Sequence, residues 1–247
     1  MSDEAKRPFD PFELCVAVLL GFCDIGAALA GLQNGQWGGR QLERFSEANT
    51  LTTRAAKEYN EAVSNINSDY AAVAQAKRSI LDAVYTHSAD AKERDLETAS
   101  YFLTQQITEA AYNALGLPAD KLEKDTPGKK KASTEAEVEQ DLRNVIPEEA
   151  LIEALDTELH DDDAYANGMF KDADKLFKDA EAKFAEGRTA NANGDGFQLS
   201  GVFFTVALFF AGIALVFKTR LRWAFVGVGA LTFLSTAVYM ARLPWAG

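Results

Sequence analysis

One carboxylate stands out because it lies inside an apolar stretch long enough to cross a bilayer. Asp24 falls near the middle of residues 12–33 (FELCVAVLLGFCDIGAALAGLQ), where a charged side chain costs at least ~2.5 kcal/mol in a membrane. No Lys or Arg occurs in residues 12–32, 199–217 or 223–240, which make up most of the chain's three apolar segments. An ion pair within the bilayer is therefore excluded, and Asp24 must find hydrogen-bonding partners instead.

Few polar groups in the apolar segments could form a hydrogen bond with Asp24, and two functional hypotheses follow from them. The candidate partners are Gln33, Thr205, Thr232, Ser235, Thr236 and Tyr239, or Asp24 of a second copy of the chain. A relay for protons or cations is one hypothesis, because intramembrane acids often line such paths. A structural hydrogen bond between helices is the other, and it is the hypothesis that we favour.

Other groupings of chemical interest are weaker. His160, Asp161, Asp162 and Asp163 could bind a divalent cation, but the same run suits an acidic helix end, so no metal is expected. Residues 191–196 (NANGDG) match only the start of a calcium loop, because Val202 stands where a glutamate is required, and we interpret them as a polar hinge. With no catalytic triad, reactive cysteine or phosphate loop, neither enzymatic activity nor a cofactor is expected.

The apolar segments predict an integral membrane protein with three transmembrane helices, at 12–33, 197–217 and 223–242. Residues 218–222 (KTRLR) form a short basic loop, which favours the cytoplasmic side. Residues 1–11 are then cytoplasmic, 34–196 extracytoplasmic, and 243–247 a short tail. Residues 28–30 (ALA) also resemble a signal-peptidase site, but acids precede the segment and we expect the helix to be retained.

The middle of the chain is strongly acidic and patterned for helices. Between residues 40 and 196 there are 19 Lys and Arg against 32 Asp and Glu, which makes nucleic acid and anionic lipid poor partners for this region. One helix is predicted over 40–85 and a second over 90–115, with a solvated or disordered loop at 116–133. Further short helices are expected from a capping box at Thr134 and Glu137 and from Pro147.

Narrow apolar seams run along both ends of this domain. The seam of the first helix comprises Tyr59, Val63, Ile66, Tyr70, Val73, Ile80 and Val84, with Lys77 interrupting it. The seam before the second membrane segment comprises Phe170, Ala173, Phe177, Ala180, Phe184, Gly187 and Asn191. Such seams predict stalk helices that pair within the chain or between copies, and their thinness favours a coiled-coil homo-oligomer.

A resemblance to known membrane proteins rests on two stretches of the sequence. They are residues 191–214 (NANGDGFQLSGVFFTVALFFAGIA) and the set Gln33, Trp37 and Gly39. The chain resembles a group of uncharacterised bacterial three-pass membrane proteins with an Asn-Gly-Asp turn before an LFFAGI-type helix, and its plan is similar to that of the DUF4337-type family. The resemblance implies a bacterial inner-membrane protein with a retained first helix and assigns no role to Asp24.

These patterns predict an all-α membrane protein that acts as a homo-oligomeric scaffold or as an accessory subunit of a larger membrane complex. Small residues in the membrane helices should allow close packing: Gly26, Ala27, Gly31, Ala207, Ala211 and Gly212. A proton- or cation-conducting assembly that uses Asp24 is the alternative, and an acidic cation-binding sensor is a third possibility.

Overall fold

The computed structural model describes residues 10–118, 146–159 and 162–246, and within these ranges the regular structure is helical with no β-strand. In chain order the helices are α1 (Pro11–Tyr85), α2 (Ala89–Gln105), α3 (Glu109–Ala114), α4 (Glu148–Asp156), α5 (Asp163–Val216) and α6 (Leu221–Ala241). The all-α prediction is confirmed for the described residues.

Three of the helices, α1, α5 and α6, are long and apolar enough to cross a membrane. In α1 and α5 the apolar stretch is one part of a longer helix that continues into polar sequence. The bounds predicted for the bilayer at residues 33 and 196 therefore coincide with no helix end, and they stay predictions.

The chain divides into two compact units, and the first contains Met1–Thr50 with Asp179–Gly247. Within it α1 and α5 run antiparallel, since Phe12 packs near Ala214 whereas Phe45 packs against Phe184. Helix α6 completes this unit, and its Met240 is buried with Phe197 and Phe204 of α5. Three apolar helices thus enclose small cores built from aromatic, aliphatic and alanine side chains.

The second unit, Leu51–Lys178, has the larger core. Every described helix except α6 contributes to it, and its fully buried large side chains are Ile80, Leu103, Tyr112, Ile146 and Leu151. Tyr59 of α1 stacks on Phe170 of α5 with 4.9 Å between ring centroids. The two stalk helices consequently pair within one chain, which is one of the two arrangements that their seams predicted.

The seam predicted for α1 is half wrong. Ile66, Val73 and Ile80 are buried as expected, but Tyr59 and Val84 are 45% and 48% exposed. The intervening buried positions lie one residue earlier than predicted, at Ala62, Asp69, Ala76 and Ala83. Large apolar residues suggested the wrong register, because the close contact with neighbouring helices is made through alanines and one acid.

The prediction of a single helix over 90–115 is also wrong, because the helix is interrupted: α2 ends at Gln105 and α3 begins at Glu109. Thr108 caps α3, and its side chain accepts a hydrogen bond from the Ala111 backbone amide at 3.2 Å. The predicted end of this region holds: Gly116 adopts φ +67°, a left-handed conformation that favours glycine. The capping box at Thr134 and Glu137 and most of the 116–133 loop lie outside the described residues.

The turn or hinge predicted at 191–196 is absent, since α5 is continuous from Asp163 to Val216. The Asn191 side-chain amide donates to the Asp195 carboxylate at 3.0 Å, which is an ordinary pairing one helical turn apart. Gly194 and Gly196 permit close approach here, because an added Cβ would lie 3.2 Å from Asn34 and 3.0 Å from Leu243 respectively. These glycines serve packing rather than bending.

Candidate functional site

Asp24 lies on the exposed face of α1, in the first unit. Among the described residues no hydrogen bond or ion pair reaches its carboxylate, although its neighbours along the chain, Cys23 and Ile25, are respectively buried and 58% exposed. The only carboxylate at the centre of this apolar segment therefore points away from the other described residues of its chain.

None of the partners proposed for Asp24 from the sequence forms a hydrogen bond with it. Three threonine hydroxyls donate to carbonyl oxygens one turn earlier in their own helices: Thr205 to Gly201 at 3.0 Å, Thr232 to Val228 at 2.9 Å and Thr236 to Thr232 at 2.8 Å. Ser235 and Tyr239 are exposed on α6. Gln33 is buried and bonded to residue 246. The structure brings none of the six to Asp24.

Asp24 sits within a row of small residues on the same exposed face. Its neighbours in steps of three and four are Ala17, Gly21, Ala28, Gly31 and Gly35, all exposed. An added Cβ at any of these three glycines would meet nothing within 4 Å. We call Ala17, Gly21, Asp24, Ala28, Gly31 and Gly35 the Asp24 stripe. The spacing was visible in the sequence, but only Gly31 had been singled out.

The small residues predicted to allow helix packing fall into two groups. Gly26, Ala207 and Ala211 are used inside the chain: an added Cβ on Gly26 would lie 2.8 Å from the Phe204 ring, and both alanines are fully buried. Ala27 is partly buried in the same region. Gly31 and Gly212 face open space, since nothing lies within 4 Å of an added Cβ.

Gln33 and Trp37 hold the end of the described chain against α1. The Gln33 side-chain oxygen accepts from the Ala246 backbone amide at 2.8 Å, and its Nε2 faces the Ala246 carbonyl at 3.5 Å. The Trp37 indole donates to the Pro244 carbonyl at 3.0 Å. Trp245 packs edge-on against Phe197 of α5. The Gln-x-x-x-Trp spacing thus forms a backbone clamp, a role that its sequence did not indicate.

Asp69 is the main polar residue that sequence reasoning missed. It lies on α1 in the second unit and is 1% exposed. Its carboxylate accepts hydrogen bonds from the Thr108 amide at 2.7 Å, the Thr108 hydroxyl at 2.6 Å and the Tyr165 hydroxyl at 2.6 Å. Burial and this bond to Asp69 raise the pKa of Tyr165. The signal was an acid in a seam position between Ile66 and Val73.

Asp69 explains why the helix is interrupted before α3. By taking the Thr108 amide, the carboxylate occupies a donor that a continuous helix would have used for its own ladder. Short O–H···O distances to a carboxylate are typical of charge-assisted bonds. With only donors around it, Asp69 joins α1, α3 and α5 as a structural centre and has no open face for a substrate.

The weak metal candidates remain without support from the part of the chain that the structure describes. His160 and Asp161 lie outside that part. Asp162 uses its carboxylate to accept from the backbone amides of Ala164 at 2.8 Å and Tyr165 at 3.0 Å, which caps the start of α5. Asp163 lies in the first turn. The described residues contain no group of three His, Cys, Asp or Glu side chains placed to hold a metal.

Four charged side chains form a surface network in the first unit. Arg44 contacts Glu47 at 2.8 Å and Glu186 at 3.1 Å, and Lys183 contacts the same two acids at 3.3 and 3.2 Å. The hydrogen bond from Arg44 lowers the pKa of Glu47, and the bond to Glu186 raises that of Lys183. All four are solvated, so this network orients α1 and α5 but is a weak source of stability.

The three candidate spans suggest a multi-pass membrane protein. No family model, curated protein or solved structure matches the chain. Function must therefore be argued from the Asp24 stripe and from the packing around it.

Proposed function

We propose that the protein is a non-enzymatic, homo-oligomeric membrane scaffold or accessory subunit, assembled through the Asp24 stripe. The observation that carries this proposal is that Asp24 has no hydrogen-bonding partner among the described residues and lies on an exposed row of small residues.

A single chain in a bilayer would present the Asp24 carboxylate to lipid. The cost of at least ~2.5 kcal/mol falls when a second copy supplies a hydrogen bond and excludes lipid from the carboxylate. Small residues on either side let two helix backbones approach closely enough for that contact. Copies with the same topology place their first helices in parallel, so that Asp24 of one meets Asp24 of the other, and a hydrogen bond joins them when one of the two carboxyl groups carries a proton to donate.

The internal packing supports this choice of interface. The stalk helices already pair within one chain, as in the Tyr59–Phe170 stack, and Ile66, Val73 and Ile80 of α1 are buried without a second copy. Gly26, Ala207 and Ala211 are likewise used inside the chain. The Asp24 stripe combines small residues with an unsatisfied polar group, so it gains most from a partner.

The acidic domain is then displayed outside the cytoplasm. This orientation is supported by the basic turn at 218–222, because short basic loops stay cytoplasmic. With its many acids the displayed surface suits cationic or neutral protein partners, including components of a larger membrane complex, and disfavours nucleic acid.

Native mass spectrometry of the full chain in detergent tests the proposal. We expect an oligomer for the native protein and for Gly212→Leu, whose open position lies outside the stripe, and a shift toward monomer for Gly31→Leu. A monomeric native protein would overturn the proposal. So would equal behaviour of the two leucine variants.

A proton- or cation-conducting assembly is the second candidate, favoured by the same exposed carboxylate. Because Asp24 is not bonded to any Thr or Tyr that the structure describes in its own chain, it can face the axis of an oligomer. Liposome flux compared between the native protein and Asp24→Asn separates the candidates. Flux that is lost in Asp24→Asn would favour conduction, whereas absent or unchanged flux would favour the scaffold.

A further inference from the structure

The turn between α5 and α6 forms a basic and apolar surface whose partner is unassigned. Lys218 and Arg220 are exposed, and neither forms an ion pair with any described residue. The apolar side chains beside them are exposed as well: Val216 is 77%, and Leu221 and Trp223 are each 50%, accessible. Positive charge and apolar surface thus lie side by side within eight positions.

Arg222, the third cation of this surface, is held in place by α1. Its guanidinium lies 4.1 Å from the centroid of the Phe12 ring and 3.5 Å from the Asp10 carboxylate. Phe12 in turn packs edge-on against Trp223 at 5.1 Å. Asp10 balances the charge of Arg222. Lys218 and Arg220 therefore give the described part of this surface a net positive charge.

We propose that this surface binds the phosphate headgroup of an anionic phospholipid. The inference rests on the membrane insertion proposed above. Lysine and arginine both bind phosphate oxygens, and the planar guanidinium can bind two of them at once. A free phosphate would use the cations alone, whereas a lipid also covers Val216, Leu221 and Trp223 with its acyl chains. The adjoining apolar surface therefore favours the lipid.

The charge of the rest of the chain confines the binding of anionic lipid to this surface. The protein carries a net charge of −12, so anionic lipid is repelled from most of its surface. Basic residues next to a membrane segment strengthen attachment to anionic headgroups, and the effect falls off within a Debye length. Residues 218–222, which cover the turn after α5 and the first two residues of α6, include three basic residues and no acid.

The test is native mass spectrometry of the full chain in detergent with phosphatidylglycerol and phosphatidylcholine in equal amounts. We expect adducts mainly of phosphatidylglycerol, and a roughly tenfold or greater fall in that preference for K218Q/R220Q. The matched control is K175Q/K178Q, which removes the same charge from two exposed lysines of α5 in the second unit. It should leave the preference unchanged.

Three results would overturn the proposal: no preference in the native protein, equal losses in both double variants, or displacement of the lipid by inorganic phosphate alone. The same spectra report the number of copies in each particle. An intact oligomer without lipid preference would reject only the lipid site, whereas a monomer that keeps the preference would reject only the assembly.

Discussion

The Tyr165 hydroxyl donates a 2.6 Å hydrogen bond to the Asp69 carboxylate, although 96 positions separate the two residues in the chain. The same carboxylate fixes Thr108 at the start of α3. One acid thereby connects three helices of the second unit, and it does so without a cationic partner among the described residues.

Removing this carboxylate should destabilise the second unit. Asp69→Ala leaves the Thr108 amide and the Tyr165 hydroxyl without their acceptor, so we expect the free energy of unfolding to fall by about 3 kcal/mol or more. Tyr165→Phe should cost about 1.5–3 kcal/mol. Urea-dependent proteolysis in detergent measures both. Tyr59→Phe is the control, because Tyr59 is 45% exposed and should change little.

Tyr165 also predicts a dependence of stability on alkaline pH. Burial, followed by the bond to Asp69, raises its pKa above the ordinary value of 10.0. The folded state therefore holds the hydroxyl proton at pH values where the unfolded state has lost it, and stability falls as the pH rises above about 10. The stability difference between native protein and Tyr165→Phe should be constant below that pH and shrink above it. A difference that grows would contradict this assignment.

Two glycines of the first membrane segment should respond oppositely to alanine. Gly26→Ala places a methyl group against the buried Phe204 ring, and overpacking of this kind costs about 1–3 kcal/mol. Gly31→Ala meets open space within its own chain and should keep or slightly raise helix stability when monomers are compared. Thermal unfolding in detergent ranks the two variants. The packing described for α1 and α5 is wrong if Gly31→Ala is the less stable one.

The Gln33 clamp should protect the segment around Ala246. Gln33→Leu keeps the size of the side chain but removes the bond to the Ala246 amide, so hydrogen exchange at that amide should quicken roughly fivefold or more. Gln198→Leu, at an exposed position of α5, is the matched control. Similar exchange in both variants would show that Trp37 and Trp245 hold this segment unaided.

Hydropathy and helix periodicity were enough to predict an all-helical chain and the three candidate spans, because these depend on local composition. Burial of Ile66, Val73 and Ile80 followed from the same pattern. The interruption of the helix at Thr108 could not be predicted from that pattern, because it depends on Asp69, which lies 39 positions earlier in the chain. Turn propensity likewise failed at Gly194 and Gly196, where contacts with α1 and residue 243 keep the helix continuous.

The candidate site likewise has features that the sequence predicts and features that only the structure shows. Asp24 was visible at once from the sequence, because an acid inside a long apolar segment is costly in a membrane unless it finds a partner. Its partners could not be predicted, since the threonine hydroxyls are satisfied within their own helices. Which face of α1 remains exposed depends on the positions of α5 and α6, so the Asp24 stripe became visible only in the structure.

Disulfide cross-linking tests the assembly through the Asp24 stripe most directly. With Cys15 and Cys23 both replaced by alanine, Ala28→Cys places a thiol on the stripe, and Val228→Cys places one on an exposed position of α6. Disulfides require Cα atoms within about 7 Å, so only facing positions react efficiently. We predict that mild oxidation of membranes gives a covalent dimer for Ala28→Cys and monomer for Val228→Cys. Monomer at both positions, or equal dimer at both, would contradict the proposed interface.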